Sequence, residues 1–220
     1  MRPFEEDLQS LNDMLQEMGA LVAHSIQRSV LSLVEKNEDY AHQVIRDESR
    51  VDQMEIQIDE KVTSLIVREQ PVARDMRLVV SAIKISTDLE RMGDLAVHIA
   101  ERSLSLMTQP ALPETVNFGE IANLVESMVL GSLDSFVKRD PQNARTILET
   151  DDAVDKARKA IQHQLTDLMQ RDTATIYRAL DYLIIARSLE RIADHATNIA
   201  EDVIFLAQGV DVRHRVAEVA

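Results

Sequence analysis

Two stretches of this chain are copies of one another. Asp88 to Glu101 reads DLERMGDLAVHIAE, and Ser188 to Glu201 reads SLERIADHATNIAE. At an offset of 100, eight of the fourteen positions are identical, where ordinary composition gives roughly one by chance. Upstream the offset becomes 103: Glu48, Val51 and Asp52 fall on Asp151, Val154 and Asp155, while Val34, Ala41 and Val44 fall on Val137, Ala144 and Ile147. The difference is absorbed between Glu69–Arg74 and Asp172–Ala174, in a turn where a change of length matters little. The chain is therefore an internal duplication, and the two halves must share one fold.

Each half reads as three long amphipathic helices. The first helix, about residues 4–36, carries Leu8, Leu11, Leu15, Met18, Val22, Ile26, Val30 and Leu33 at steps of three and four. The second, about 38–69, carries Ala41, Val44, Ile45, Val51, Ile58, Val62, Leu65 and Ile66, and Pro71 closes it by disfavouring helix at Gln70. The third runs from Ala73 to Leu106, after which Gln109-Pro110-Ala111-Leu112-Pro113 breaks the chain. With 5 Gly, 5 Pro and 3% aromatic residues in 220, few turns are available to close hairpins. Each helix has one apolar stripe and is not stable alone, so three must share a core. The expected fold is all-α: two tandem, pseudo-symmetric three-helix bundles, residues 1–108 and 114–220, joined by a linker at 109–113.

Several function classes drop out. A formal charge of −14 opposes nucleic acid, which needs a cationic stripe to displace counterions. The chain has no cysteine, which excludes disulfides, thiolate metal sites and thiol nucleophiles. The N-terminus, Met1-Arg2-Pro3-Phe4-Glu5-Glu6-Asp7, lacks the apolar core of a signal peptide. No apolar run is long enough to insert into a bilayer. These features predict a soluble intracellular protein whose membrane association goes through partners.

The duplicated box also sets out carboxylates. At 100° per residue, Leu189, Ile192, Ala196, Ile199 and Val203 form a core stripe, and Glu190, Asp194 and Glu201 cluster within about 40° of one another away from it. Glu90, Asp94 and Glu101 do the same in the first half. On the second helix Glu48, Asp52, Glu55 and Asp59 line one face, with Asp151 and Asp155 as the second-half equivalents and Asp152 nearby. Facing pairs at about 6 Å repel by about 3 kcal/mol each at an effective dielectric of 20. They must be neutralised, spread into water, or held by a cation, and hard oxygen donors suit Mg²⁺, Mn²⁺, Ca²⁺ or iron. His98, four residues after Asp94, is a softer candidate ligand, and Arg187, one turn before Glu190, is a candidate neutraliser. His195 lies about 100° round the helix from Asp194 and is left out of the site.

The two LER-x-x-D-x-A-x-x-IAE boxes, the Glu/Asp-x-x-x-Asp pairs, the tandem three-helix layout and the Pro71-x-Ala73-Arg74-Asp75-Met76-Arg77 start of the third helix resemble the PhoU family of phosphate-transport accessory proteins. The resemblance implies a negative regulator of the phosphate-starvation response and of phosphate uptake. Such a protein bridges the ATPase subunit of the phosphate ABC transporter and the phosphate-sensing histidine kinase. It is expected to be cytoplasmic, peripheral to the inner membrane through those partners, and homodimeric. The resemblance also implies metal binding through the pairs Glu48 with Asp52, Glu90 with Asp94, Asp151 with Asp155, and Glu190 with Asp194, with His98, Glu101, Asn198 and Glu201 as secondary candidates. Divalent or trivalent ions of magnesium, manganese, iron or zinc are the expected cofactors, and no organic cofactor is implied. Leu95 stands where the family usually has His, and His98 where it usually has Asn.

No catalytic residue is expected. A carboxylate-bridged di-iron bundle needs Glu-x-x-His motifs, and no Glu here has His three residues on. No Gly-rich phosphate loop or activated nucleophile appears. The competing reading is a generic helical metal-binding adaptor or chaperone-like protein with no phosphate role.

Overall fold

A computed structural model of the chain describes residues 3–72, 74–210 and 212. It contains six α-helices: α1 (Pro3–Glu35), α2 (Glu38–Glu69), α3 (Arg74–Met107), α4 (Gly119–Lys138), α5 (Pro141–Arg171) and α6 (Ile176–Gln208). Among the described residues there is no strand. The boundaries follow local chemistry. The Asn37 side chain accepts the Asp39 N–H at 2.9 Å and starts α2. Asp140 accepts the N–H groups of Gln142 and Asn143 at the head of α5, with Pro141 in its first turn. Helix α2 ends on Gln70, which takes a left-handed conformation (φ 44°) immediately before Pro71. Lys36 and Arg139 also adopt positive φ as helices end, a position usually taken by Gly in a chain that has few.

The second bundle departs from the first in one respect. Helix α4 has 20 residues against 33 in α1, because the non-helical segment runs on past the expected linker to Phe118. Phe118 is buried and stacks on Tyr182 of α6 with centroids 5.8 Å apart, and the Asn117 side chain accepts the Gly119 N–H at 2.8 Å to start the helix. Arg178 of α6 donates to the carbonyls of Pro110 and Ala111 at 2.9 and 2.8 Å, tying the linker down.

Helices α1, α2 and α3 pack mutually, as do α4, α5 and α6, and the halves meet through α3 against α6 and α1 against α4. The stripe read on α1 is buried from Leu11 to Ile26, and that on α6 is buried throughout; on α2, Ile45 is partly buried and Ile66 is exposed. The two halves share one continuous hydrophobic cluster rather than two separate cores.

Polar bonds run along the α3–α6 seam. Lys84 Nζ meets Asp202 Oδ1 at 2.9 Å, Asp88 Oδ1 meets His195 Nδ1 at 2.8 Å and the Asn198 amide at 3.1 Å, and Arg102 meets Asp181 at 3.4 Å. As residue numbers rise on α3 they fall on α6, so the two central helices are antiparallel. The α2–α3 and α5–α6 pairs flank this central pair.

Candidate functional site

In the first half, α2 and α3 bring their acidic faces together. Partial burial raises the Glu48 carboxyl above its usual range, and Asp52 on its own helix and Asp94 and Glu101 on α3 raise it further, while His98 opposes them. Burial also raises Glu90, helped by Asp94, Glu55 and Asp52 and opposed by Arg91. Arg91 lies 3.3 Å from Glu90 and 3.5 Å from Asp94 but is largely exposed. The Thr87 hydroxyl donates to Glu55 at 3.1 Å and holds that carboxylate against α3. Glu48, Asp52, Glu90, Asp94, Glu101 and His98 are therefore electrostatic neighbours, with Glu55 added to the set.

The second half places its carboxylates in the same way. Burial raises Asp151, assisted by Asp194, Asp155 and Asp152. Asp194 keeps part of its surface in water; desolvation of its inner side raises it, Asp155 adds to this, and His195 and Arg191 oppose it. Burial raises Glu190, against the pull of Arg158, with Asp155 and Asp194 pushing the same way as burial. Asp155 moves in the opposite direction: the Lys159 ammonium, 3.0 Å away, holds it below the usual range.

Two cations that the single-helix spacing did not single out thus enter the second site. Arg158 of α5 brings Nε to 2.9 Å from Glu190 Oε1, an ion pair by distance whose N–H is not aligned for a hydrogen bond. Its Nη1 donates to Gln162 at 2.6 Å. The candidate neutraliser Arg187 is exposed and lines the same 450 Å³ groove as Arg158 and Glu190, yet Arg158 takes the carboxylate. The signal was present in the repeat, because the offset of 103 sets Arg158 on Glu55 and Lys159 on Ile56.

Asn198 and His195 turn to Asp88 across the seam, so Asn198 serves the junction of the halves. Glu201 is half-buried on α6.

Oxygen donors crowded against one another form a donor set that suits a hard cation, since bound positive charge relieves the repulsion. The first half fits that description. Among the described residues, however, no group of three or more His, Asp or Glu side chains stands ready-made as a ligand set, so an ion would have to draw the side chains in. The second half fits less well, because Arg158 and Lys159 already partner its carboxylates.

No helix among the described residues is long and apolar enough to cross a membrane. A family model described as the PhoU domain matches residues 15–103 and again 118–203. A Burkholderia sp. protein, the phosphate-specific transport system accessory protein PhoU homolog, is 38% identical over 214 residues, covering 96% of this chain and 91% of its own. The Pseudomonas aeruginosa protein of the same description is 37% identical over 212 residues, with 96% and 88% covered. The crystal structure of PhoU from Pseudomonas aeruginosa superposes with a TM-score of 0.91 at 36% identity, covering 94% of this chain and 100% of that one. The phosphate transport system regulatory protein PhoU from Streptococcus pneumoniae gives 0.87 at 28% identity, with 95% and 99% covered. Duplicated boxes, six antiparallel helices and a domain pattern matched once in each half converge on one conclusion: this chain belongs to the PhoU family.

Proposed function

We propose that the chain is an accessory regulator of phosphate transport that represses the phosphate-starvation response when phosphate is plentiful. The observation that carries this reading is likeness along nearly the whole chain to proteins described as phosphate-specific transport system accessory proteins. In this role the protein bridges the transporter's ATPase subunit and the phosphate-sensing histidine kinase, and works at the membrane surface through them. Surface, rather than a catalytic centre, performs the work, which agrees with the regulatory description of the Streptococcus relative.

The carboxylates of the α2–α3 face supply a metal site, with Glu48, Asp52, Glu90 and Asp94 as ligands and His98 and Glu101 beside them. Magnesium, manganese, iron or zinc would neutralise the face and fix its shape for a partner. Support comes from the raising of Glu48 and Glu90 by burial and by the carboxylates around them, and from a set of oxygen donors with one imidazole beside it. The counterparts on α5–α6 are Asp151, Asp155, Glu190 and Asp194, where Arg158 and Lys159 already partner two of the carboxylates.

Capture on the immobilised chain tests the bridging. The parent should retain the transporter ATPase or the kinase, and Glu48→Lys with Asp52→Lys should weaken that capture more than it weakens folding. Charge reversal in an interface is strongly unfavourable, whereas Asp52 is exposed and Glu48 only partly buried, and such helix positions contribute little to stability. Equal capture by parent and variant would place the partner on another surface.

A further inference from the structure

The duplication allows each residue of one acidic face to be compared with its counterpart in the other, and two of the positions that differ place a cation on α5 where α2 has none. Glu55 on α2 corresponds to Arg158 on α5, and Ile56 corresponds to Lys159. Position for position the geometry agrees. Glu55 is held on Thr87 of α3 and presses its charge on Glu90. Arg158 lies in a groove with Arg187 and Glu190 of α6, the counterparts of Thr87 and Glu90, and meets Glu190 at 2.9 Å. The exchange of Glu for Arg and of Ile for Lys adds three units of positive charge to the second face.

Arg158 is also well placed to act as an internal ion. Its side chain and that of Glu190 are only 22% and 24% exposed, and its Nε is sealed from solvent. Lys159 takes Asp155 at 3.0 Å. Asp155 and Glu190, one carboxylate from each helix of the pair, therefore each carry a cation. Among the described residues of the first half, the cation that pairs with the corresponding carboxylates is the exposed Arg91, 3.3 Å from Glu90 and 3.5 Å from Asp94.

We infer that the two halves are not equivalent metal sites: in the second, Arg158 with Lys159 replaces the metal ion, so that cation uptake is confined to the α2–α3 face. The inference rests on the reading that the first-half carboxylates bind a cation. A guanidinium is a permanent charge that no chelator removes, so the second face is set for good while the first depends on metal supply. The protein then carries one metal-responsive face and one constant face.

Manganese alone is a sufficient probe, read by the electron paramagnetic resonance signal of the free ion during titration of the full chain. The parent is compared with a first-half-silenced chain (Glu48→Gln, Asp52→Asn), and with that silenced chain carrying Arg158→Gln and Lys159→Gln. Silencing should abolish most uptake, and removing the two cations should restore it at the second face with an affinity raised at least roughly tenfold, as loss of adjacent like charge requires. The reciprocal Glu55→Arg in the parent should weaken first-half binding by a similar factor. It introduces an ion pair, so it keeps the test open should the Arg158 variant fold poorly by circular dichroism. Uptake by the silenced chain at parental affinity, or a folded Arg158→Gln, Lys159→Gln chain that gains nothing, overturns the inference. A parent that binds no Mn²⁺ while the variant lacking both cations does would overturn the first-half reading and support the role of Arg158.

Discussion

Replacing Glu55 by Arg should stabilise the metal-free protein. The substitution copies into the first half what the second half already contains. At position 55 a carboxylate raises Glu90, whose side chain is 17% exposed; at position 158 a guanidinium stands 2.9 Å from Glu190. Two unit charges 4 Å apart interact by about 4 kcal/mol at an effective dielectric of 20. Water reaches this face, and exposed pairs deliver only a fraction of that, so relief of repulsion plus the new pair is worth about 1–2 kcal/mol. Against it stands the lost hydrogen bond from the Thr87 hydroxyl at 3.1 Å, about 0.5 kcal/mol at an exposed site. The net gain is about 1 kcal/mol, or about 2–4 °C in Tm for a chain of this size. Urea unfolding followed by circular dichroism measures it, with Glu55→Gln recovering about half. In 1 M salt, where the screening length falls to about 3 Å, most of the gain should vanish. A folded Glu55→Arg chain that is no more stable than the parent at low salt would refute the claim that the first face is a repulsive cluster.

Two further outcomes follow from the same geometry. Glu48, Glu90, Asp151, Glu190 and Asp194 all have carboxyls raised in the folded protein, so the native state holds protons that the unfolded chain has released. The metal-free protein should therefore lose stability as pH rises from the ordinary carboxylate range toward 7, as read from urea midpoints. Asp7 and Asp155 are lowered by Lys61 and Lys159, and their contribution should disappear as pH falls through and below that range. A midpoint that rises steadily from pH 5 to 7 contradicts this. In the seam, Lys84→Met removes the partner 2.9 Å from Asp202, whose side chain is 6% exposed, and the cation over the Phe205 ring at 5.6 Å. Because Lys84 itself is 31% exposed, the expected loss is about 1–2 kcal/mol, and a loss within 0.5 kcal/mol, the range of ordinary surface substitutions, would show that the seam does not depend on this pair.

Much of the architecture was legible because it is written in periodicity. The stripes Leu11 to Ile26 and Leu189 to Val203 have helical spacing, and Pro71 marks the end of α2 to the residue. Even Gly93, inside the first box, has a counterpart in buried Ala193. The acidic faces were legible for the same reason, since residues at i and i+4 share a face wherever the helix lies. Contacts between helices carry no such signature. A helical wheel pairs Arg187 with Glu190, but the neighbouring helix places Arg158 there. Asn198 reads as a member of its own box, yet it reaches Asp88 on the other half, because α3 and α6 run antiparallel through the centre. The shortened α4 was hidden as well: Phe118 leaves the helical path to stack on Tyr182, sixty-four positions along the chain.

Regulation is the central claim, and its most direct measurement is transcription of the phosphate-starvation genes in cells that lack this chain. In phosphate-rich medium the deletion should leave those genes switched on, and restoring the chain should silence them. Normal repression in high phosphate without this chain, in a strain with no second copy of the family, would contradict the account.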